Sequence, residues 1–160
     1  MTLWCTLFGV VCGAMSLVVH PDLRLVYNAS DSAPRGFYTV SPVHELRVGD
    51  YVVARLPEQV AQLAAARGYL PPSVPVLKQI AAREGQVVCV RNGVVRIDGK
   101  TVASTLQRDG FGRPLRAWSG CRPLVDGELF LLNAGNSASF DSRYFGPVDA
   151  SFVRGRAIRW

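Results

Sequence analysis

The chain has 160 residues, of which 49% are hydrophobic and 19% are charged, and its formal net charge is +6. This length and composition exclude a disordered chain and fit one domain with its own core. The four cysteines are too few for a disulfide scaffold. Together with the two histidines they show no metal-ligand spacing, so we expect neither a metal nor any other cofactor.

The first 21 residues contain no Asp, Glu, Lys or Arg, and residues 3–19 are almost entirely apolar. As a helix, this stretch would rise about 26 Å, close to the roughly 30 Å thickness of a bilayer core. We therefore predict a transmembrane anchor over residues 1–21 and one domain over residues 22–160. A cleaved signal peptide and a buried core helix remain open as alternatives. By the positive-inside rule, Arg24 and Arg35 after the segment favour a cytoplasmic body.

Most of the remaining chain is predicted to form short strands. Aromatic and β-branched residues predict strands at 36–40, 50–56, 86–91, 94–98, 128–132 and 152–160. Asn92 and Gly93 form a strong two-residue hairpin signal between two of these strands. One short helix is predicted at 58–67, ended by Gly68, and residues 104–123 indicate a loop or a small insertion. The predicted fold class is therefore mainly β.

Lys78 lies in the most apolar stretch that follows residue 21, VPVLKQIAA at 74–82. The chain contains 16 arginines but only two lysines. An arginine keeps its proton in proteins, whereas a desolvated lysine releases it, so Lys78 is a candidate general base. The alternative is an edge-strand lysine whose ammonium group reaches solvent.

Ser30 and Ser32 lie in a turn-rich segment, NASDSAPRGFY at 28–38, in which Pro34 and Gly36 fix a bend. Such a bend would hold a serine hydroxyl exposed as a nucleophile. The alternative is an ordinary serine-rich turn whose hydroxyl groups bond nearby backbone. The same segment contains an Asn-x-Ser glycosylation acceptor at Asn28.

A third segment, SFDSRYFGPV at 139–148, places Asp141 and Arg143 two residues apart. In an extended chain their side chains lie on one face, where they would form an ion pair. That pair would either organise a site or be a surface salt bridge of little energetic weight. His20 and His44 have no carboxylate or cysteine pair near them in the sequence, which disfavours a Ser-His-Asp triad and a zinc site.

The order of these segments resembles that of the bacterial signal peptidases that use a Ser–Lys dyad. An apolar N-terminal segment is followed by Ser-x-Pro-x-Gly, by Leu-Lys in an apolar strand and by Ser-x-Asp-Ser-Arg. The resemblance covers Leu3 to about Val153 and is greatest to the conjugative-transfer branch, the TraF type, which matures pilin precursors. General signal peptidases carry Gly-Asp-Asn ahead of Ser-x-Asp-Ser-Arg, where this chain has NAGNSA at 133–138. This difference favours the specialised branch over a general type I signal peptidase.

The resemblance implies catalytic roles for three residues. Ser32 corresponds to the nucleophile and Lys78 to the general base. The Ser30 hydroxyl and the Ser32 N–H correspond to the donors of the oxyanion hole. The implied fold is a signal-peptidase-like antiparallel β domain behind one transmembrane helix.

The resemblance implies supporting roles for three more residues. Ser139 corresponds to the serine that orients the lysine, and Asp141 and Arg143 correspond to the pair that supports the site. The resemblance also implicates Asp141 in activity, which adds it to Ser32 and Lys78 as a candidate catalytic residue. The implied function is a membrane-anchored serine endopeptidase that removes a signal or pro-segment from a conjugative pilin precursor. Water resolves the acyl-enzyme, or the amino terminus of the pilin does so with cyclisation.

The resemblance also implies a location and partners. It places the catalytic domain in the periplasm on a single-pass inner-membrane anchor, against the indication from charge alone. The expected partners are a pilin or secretory precursor polypeptide and inner-membrane lipid, and the dispersed arginines predict no nucleic-acid binding. A non-catalytic anchored pilus-assembly module remains the alternative from another class. Cys89 and Cys121 either pair in an oxidising periplasm or remain independent thiols.

Overall fold

The computed structural model describes residues 25–31 and 33–160. The predicted anchor over residues 1–21 and the candidate nucleophile Ser32 lie outside these residues. Within the described ranges, no helix has the length and apolar character needed to cross a membrane. The described chain is mainly β, as predicted, and its strands form two antiparallel sheets.

The secondary structure runs in the following order. The strands are β1 (Leu25–Asn28), β2 (Gly36–Ser41), β3 (Tyr51–Ala54), β4 (Val76–Arg83), β5 (Val87–Arg91), β6 (Val94–Ile97), β7 (Lys100–Ser104), β8 (Gly120–Pro123), β9 (Glu128–Leu132), β10 (Val148–Asp149) and β11 (Val153–Arg159). The helices are α1 (Glu58–Ala66) and α2 (Ser142–Phe145), and a 3-10 turn covers Ala150–Phe152.

The larger sheet has seven strands in the order β1-β2-β11-β3-β4-β9-β10. Strand β4 lies in its interior, where Lys78 pairs with Val52 of β3 and Ile80 pairs with Leu131 of β9. Because β4 is hydrogen-bonded on both sides, the alternative of an edge-strand lysine is wrong. Lys78 shares its face of β4 with Ile80, which belongs to a buried apolar cluster.

The smaller sheet has four strands in the order β7-β6-β5-β8. Its β5–β6 hairpin turns at Asn92 and Gly93, whose φ angles of 51° and 77° fit the two-residue turn that the sequence predicts. Cys89 of β5 lies opposite Cys121 of β8, and the two form a disulfide. Of the two alternatives, paired cysteines or independent thiols, the structure therefore shows the paired one.

Strand β9 joins the cores of the two sheets because its residues alternate between two buried clusters. Leu129 and Leu131 pack in the cluster of the larger sheet. Phe130 and Leu132 pack with the apolar side chains of β5 and β6. Residues 133–138 and then the 139–148 segment therefore follow a strand that is packed on both faces.

Two expectations require correction. Residues 104–123 are not only a loop, because β7 ends at Ser104 and Gly120–Pro123 form β8. Strand β8 is short and polar, and it forms through pairing with β5 rather than through a periodic sequence pattern. The prediction of a single short helix is also wrong, because α2 is a second one. A single helical turn is too short for the helical period to identify.

Candidate active site

Lys78 is buried at the centre of the larger sheet, with only 3% of its surface exposed. Its Nζ donates a hydrogen bond of 2.6 Å to Oγ of Ser139, which is also buried. Burial is the main cause that lowers the pKa of Lys78 to about 8, and the Arg143 guanidinium lowers it further while Asp141 opposes the change. The site therefore holds a lysine that readily loses its proton.

Asp141 and Arg143 form a buried, two-pronged ion pair. Nε of Arg143 lies 2.8 Å from Oδ1 of Asp141, and Nη2 lies 3.0 Å from Oδ2. The predicted pairing is present, but its expected geometry is wrong, because the segment is not extended. Asp141 instead caps α2 by accepting a hydrogen bond from the Arg143 backbone N–H. Both side chains are almost fully buried, so this is not a surface salt bridge.

Arg143 also pins the backbone of residues 133–138, which we call the 133–138 turn. Nη2 donates to the carbonyl oxygens of Asn133 at 2.7 Å and Asn136 at 3.1 Å. The Asn133 N–H in turn donates to Oδ2 of Asp141 at 3.0 Å. The ion pair is thus hydrogen-bonded to the segment that immediately precedes Ser139, and it fixes where that serine meets Lys78.

Asn28 organises the bend that contains Ser30. Its Nδ2 donates to the carbonyl oxygens of Ser30, Ala33 and Pro34 at 3.0, 2.9 and 3.2 Å. Its Oδ1 accepts a 2.9 Å hydrogen bond from the Ser30 hydroxyl. Asn28 is only 8% exposed, so its amide is unsuited to be a glycosylation acceptor in this fold. The sequence segment is a bend, as predicted, but the side chain of Asn28 holds it in addition to Pro34 and Gly36.

A cleft of about 340 Å³ brings the two polar segments together. Ser30, Asp31, Lys78 and Ser139 all line it. Its other walls are largely apolar and include Leu56, Ala64, Leu70, Val76, Leu106, Leu115 and Phe140. A cleft with largely apolar walls and a few polar groups is typical of a ligand-binding site, and Lys78 is one of those polar groups.

Residues 105–119 supply the far wall of the cleft and are fastened to α2. The Leu106 N–H donates to Oη of Tyr144 at 3.0 Å, and the Trp118 N–H donates to the Arg143 carbonyl at 3.0 Å. The Trp118 ring lies against Gly146, where an added Cβ would come within 2.8 Å of it. A backbone hydrogen bond, from Trp118 to Arg143, therefore links this wall of the cleft to the ion pair.

Asp109 fastens the same wall near α1. It accepts hydrogen bonds of 2.6 Å from Oη of Tyr69 and 2.7 Å from Nε of Arg113. Burial alone would raise the pKa of Asp109, but these hydrogen bonds outweigh it and hold the pKa far below its usual range. Nothing in the local sequence signals the contact between Tyr69 and Asp109, because these residues are 40 positions apart.

The structure brings Ser30, Lys78 and Ser139 into one cleft and places Asp141 with Arg143 behind it. Ser32 is outside the described residues, although its chain neighbour Asp31 lines the cleft. Sequence reasoning noted the 133–138 segment only as a difference from general signal peptidases and assigned no role to its asparagines. Among the described residues, no group of three or more His, Cys, Asp or Glu side chains is placed to hold a metal ion.

This chain is similar to several known proteins. A probable conjugal transfer protein TraF from Sinorhizobium fredii (strain NBRC 101917 / NGR234) is 36% identical over 81% of this chain and 73% of its own length. A plasmid transfer protein TraF from Escherichia coli is 31% identical over 79% of this chain and 76% of its own length. A crystal structure of a signal peptidase I from Enterococcus faecalis V583 is 19% identical, with a TM-score of 0.42 over 72% of this chain and 98% of that one.

The family comparison covers the full sequence. Residues 1–160 match the family described as Signal peptidase, peptidase S26. This match and the two transfer-protein relatives confirm the resemblance that the ordered segments indicate. The chain therefore belongs to the S26 family of signal peptidases.

Proposed function

We propose that this chain is a membrane-anchored serine endopeptidase that cleaves a conjugative pilin precursor, with Ser32 as nucleophile and Lys78 as general base. The observation that carries the proposal is the burial of Lys78 in a cleft that is also lined by Asp31, the chain neighbour of Ser32. With a pKa of about 8, Lys78 is neutral in about a tenth of the molecules at pH 7. A neutral amine is the form that a general base needs.

The mechanism uses that neutral amine twice. Nζ of Lys78 accepts the proton of the Ser32 hydroxyl while the serine oxygen attacks the scissile carbonyl. The same proton then passes to the leaving amine as the peptide bond breaks and the acyl-enzyme forms. In the second half, Lys78 accepts a proton from water as it attacks the ester or, where the removed segment is carboxy-terminal and the pilin is the acyl group, from the amino terminus of the pilin. That proton then passes to the Ser32 oxygen as the ester C–O bond breaks. Attack by the amine closes a cyclic pilin, and attack by water releases a free carboxylate.

Two donors stabilise the oxyanion in this proposal, the Ser32 N–H and the Ser30 hydroxyl. In the structure the Ser30 hydroxyl donates to Oδ1 of Asn28. Rotation about its Cβ–Oγ bond redirects that hydrogen to the developing charge. A single donor of this kind typically contributes about 3–4 kcal/mol to the transition state.

Asp141, Arg143 and Ser139 act as positioning residues in this mechanism. The side chain of Asp141 contacts Arg143 and the Asn133 N–H, and these contacts hold the 133–138 turn in place. That turn delivers Ser139 to within 2.6 Å of the lysine nitrogen. We therefore assign the implied contribution of Asp141 to activity to the placement and electrostatics of Lys78.

The location and substrate rest on separate observations. The relatives that carry the transfer-protein names support a role in conjugation. The disulfide between Cys89 and Cys121 supports an oxidising compartment such as the periplasm. The apolar residues 3–19 support an inner-membrane anchor that keeps the cleft near membrane-borne precursors.

Co-expression with a conjugative pilin precursor, followed by mass spectrometry of the pilin, tests the proposal. The wild-type chain is expected to shorten the precursor, whereas Ser32→Ala and Lys78→Ala leave it intact. A product one water lighter than the cleaved peptide identifies cyclisation. Ser137→Ala and Lys100→Ala serve as matched controls, because both residues are exposed and lie outside the cleft lining. Full processing by both Ser32→Ala and Lys78→Ala would rule out the Ser–Lys mechanism and favour a non-catalytic module.

The pH dependence of cleavage provides a second prediction. Because only neutral Lys78 accepts the serine proton, the rate should rise with pH and level off above about pH 8. Initial rates measured with the purified full chain between pH 6 and pH 10 check this. A rate that falls with increasing pH over that range would contradict the assignment of Lys78 as the base.

A further inference from the structure

The 133–138 turn reaches across the cleft to the backbone beside the proposed nucleophile. Nδ2 of Asn136 donates a 2.9 Å hydrogen bond to the carbonyl oxygen of Asp31. Nδ2 of Asn133 approaches the same oxygen at 3.3 Å. Two side chains from one turn therefore converge on one carbonyl more than 100 positions earlier in the sequence.

That carbonyl belongs to the peptide group that joins Asp31 to Ser32. A peptide group is planar, and in the trans form its N–H points opposite to its C=O. In a trans peptide, whatever holds the Asp31 carbonyl oxygen would therefore also limit where the N–H of the next residue can point. In the proposed function this N–H is a donor of the oxyanion hole.

We propose that Asn136, assisted by Asn133, is a positioning residue that aims the oxyanion-hole peptide by holding its carbonyl oxygen. The inference rests on the proposed function, because it assigns the Ser32 N–H to the oxyanion. It extends that function by adding residues outside the Ser–Lys pair and outside the Ser-x-Asp-Ser-Arg segment. Oxyanion donors act through preorganisation, so a donor that can swing away loses most of its effect.

The Asn136 side chain is itself held at both ends. Its Oδ1 accepts a 2.8 Å hydrogen bond from the Ala138 N–H, which leaves Nδ2 facing Asp31. Its backbone carbonyl accepts from Nη2 of Arg143 at 3.1 Å. The buried ion pair thus fixes the turn, and the turn presents the amide in one orientation.

The same turn also controls the base, because it ends at Ser139. The Ser139 N–H donates to the Asn136 carbonyl at 3.2 Å, and Oγ of Ser139 accepts from Lys78. A single pinned turn therefore sets both the lysine and the oxyanion peptide. The two effects are separable by mutation, because one runs through the Asn136 side chain and the other through Ser139.

The substitution Asn136→Ser separates the effect on the oxyanion peptide from the effect on the lysine. A serine hydroxyl can still accept the Ala138 N–H, as in other serine turns, but it is too short to reach Asp31. We expect kcat on a fluorescently labelled, purified pilin precursor to fall about 10- to 100-fold, with KM almost unchanged, since one oxyanion donor is worth about 100- to 1000-fold. The pH at which the rate levels off should stay near that of the wild type, because the contact between Lys78 and Ser139 is intact. Ser137→Ala in the same turn is the matched control and should keep the wild-type kcat.

A readout independent of turnover completes the test. The carbonyl ¹³C resonance of Asp31, measured by NMR on the full chain in detergent micelles, should shift in Asn136→Ser and not in Ser137→Ala. Wild-type kcat in Asn136→Ser beside inactive Ser32→Ala and Lys78→Ala overturns this inference alone. A lower kcat without a change at the Asp31 carbonyl also overturns it. Full activity of Ser32→Ala and Lys78→Ala would instead overturn the proposed function on which it rests.

Discussion

The two sheets of this domain differ in the groups that they bury and in how their strands are joined. The larger sheet buries charged groups, with Lys78 in its interior and the Asp141–Arg143 pair packed beyond β9. The smaller sheet has four short strands with an apolar core on one side, and a disulfide joins two of them. Buried charges seldom add stability for their own sake. Under the proposed function, the larger sheet carries the reacting groups, and the smaller sheet, closed by the disulfide, supports it.

Strand β9 and residues 105–119 connect the two regions. The alternating side chains of β9 enter both cores, and the Trp118 N–H bonds the carbonyl of Arg143. A change in either sheet is therefore expected to reach the site. Three variants measure how far the two regions differ.

The largest expected effect is that of Arg143→Met. It leaves the Asp141 carboxylate buried without its partner and removes donors from several carbonyl oxygens, so the free energy of unfolding should fall by about 3–5 kcal/mol. Arg122→Met is the matched control, because Arg122 makes a similar two-pronged pair with Glu128 that is partly exposed. The control substitution should lower the free energy of unfolding by about 1 kcal/mol or less. Urea unfolding of both variants checks the difference, and equal losses would contradict it.

The second effect concerns the smaller sheet. Replacing both Cys89 and Cys121 with serine opens a loop that the disulfide closes over a separation of 32 residues. In the chain-entropy description, this lowers the free energy of unfolding by about 3–4 kcal/mol. Thermal unfolding with and without dithiothreitol provides the measurement. The reductant should lower the melting temperature of the wild type and leave that of the double variant unchanged; an insensitive wild type would contradict the prediction.

The smallest predicted effect concerns Lys78, and it is an increase in the free energy of unfolding. The folded chain holds the pKa of Lys78 at about 8 against an ordinary value of 10.5, so the unfolded state binds more protons between these two pH values. The resulting cost to folding, about 3 kcal/mol, is fully present below pH 8 and disappears as the pH rises to 10.5.

Removing this charge should therefore stabilise the fold. Lys78→Met should raise the free energy of unfolding at pH 7 by about 1–3 kcal/mol, since the lost hydrogen bond to Ser139 offsets part of the gain. The gain should shrink as the pH approaches 10.5. Lys100→Met, at an exposed position of β7, should change little. A destabilised Lys78→Met at pH 7 would show that the lysine contributes to folding as well as to the site.

Much of the fold could be predicted from local sequence. The hairpin at Asn92–Gly93 and the helix at Glu58–Ala66 follow from turn chemistry and helix propensity over short windows. Strand β8 and helix α2 could not be predicted in this way. The first depends on its pairing with β5, and the second is one turn capped by Asp141.

The sequence by itself determined the order of the candidate segments and the membership of the S26 family. It also identified Lys78 as a rare lysine within an apolar stretch. These depend on residue type and spacing, which are properties of the linear chain. Only the tertiary structure decided that Lys78 is buried, that the two cysteines pair and that Asn136 meets the Asp31 carbonyl. Burial and such contacts join distant positions, and the pKa of a lysine follows from the water that the whole fold excludes.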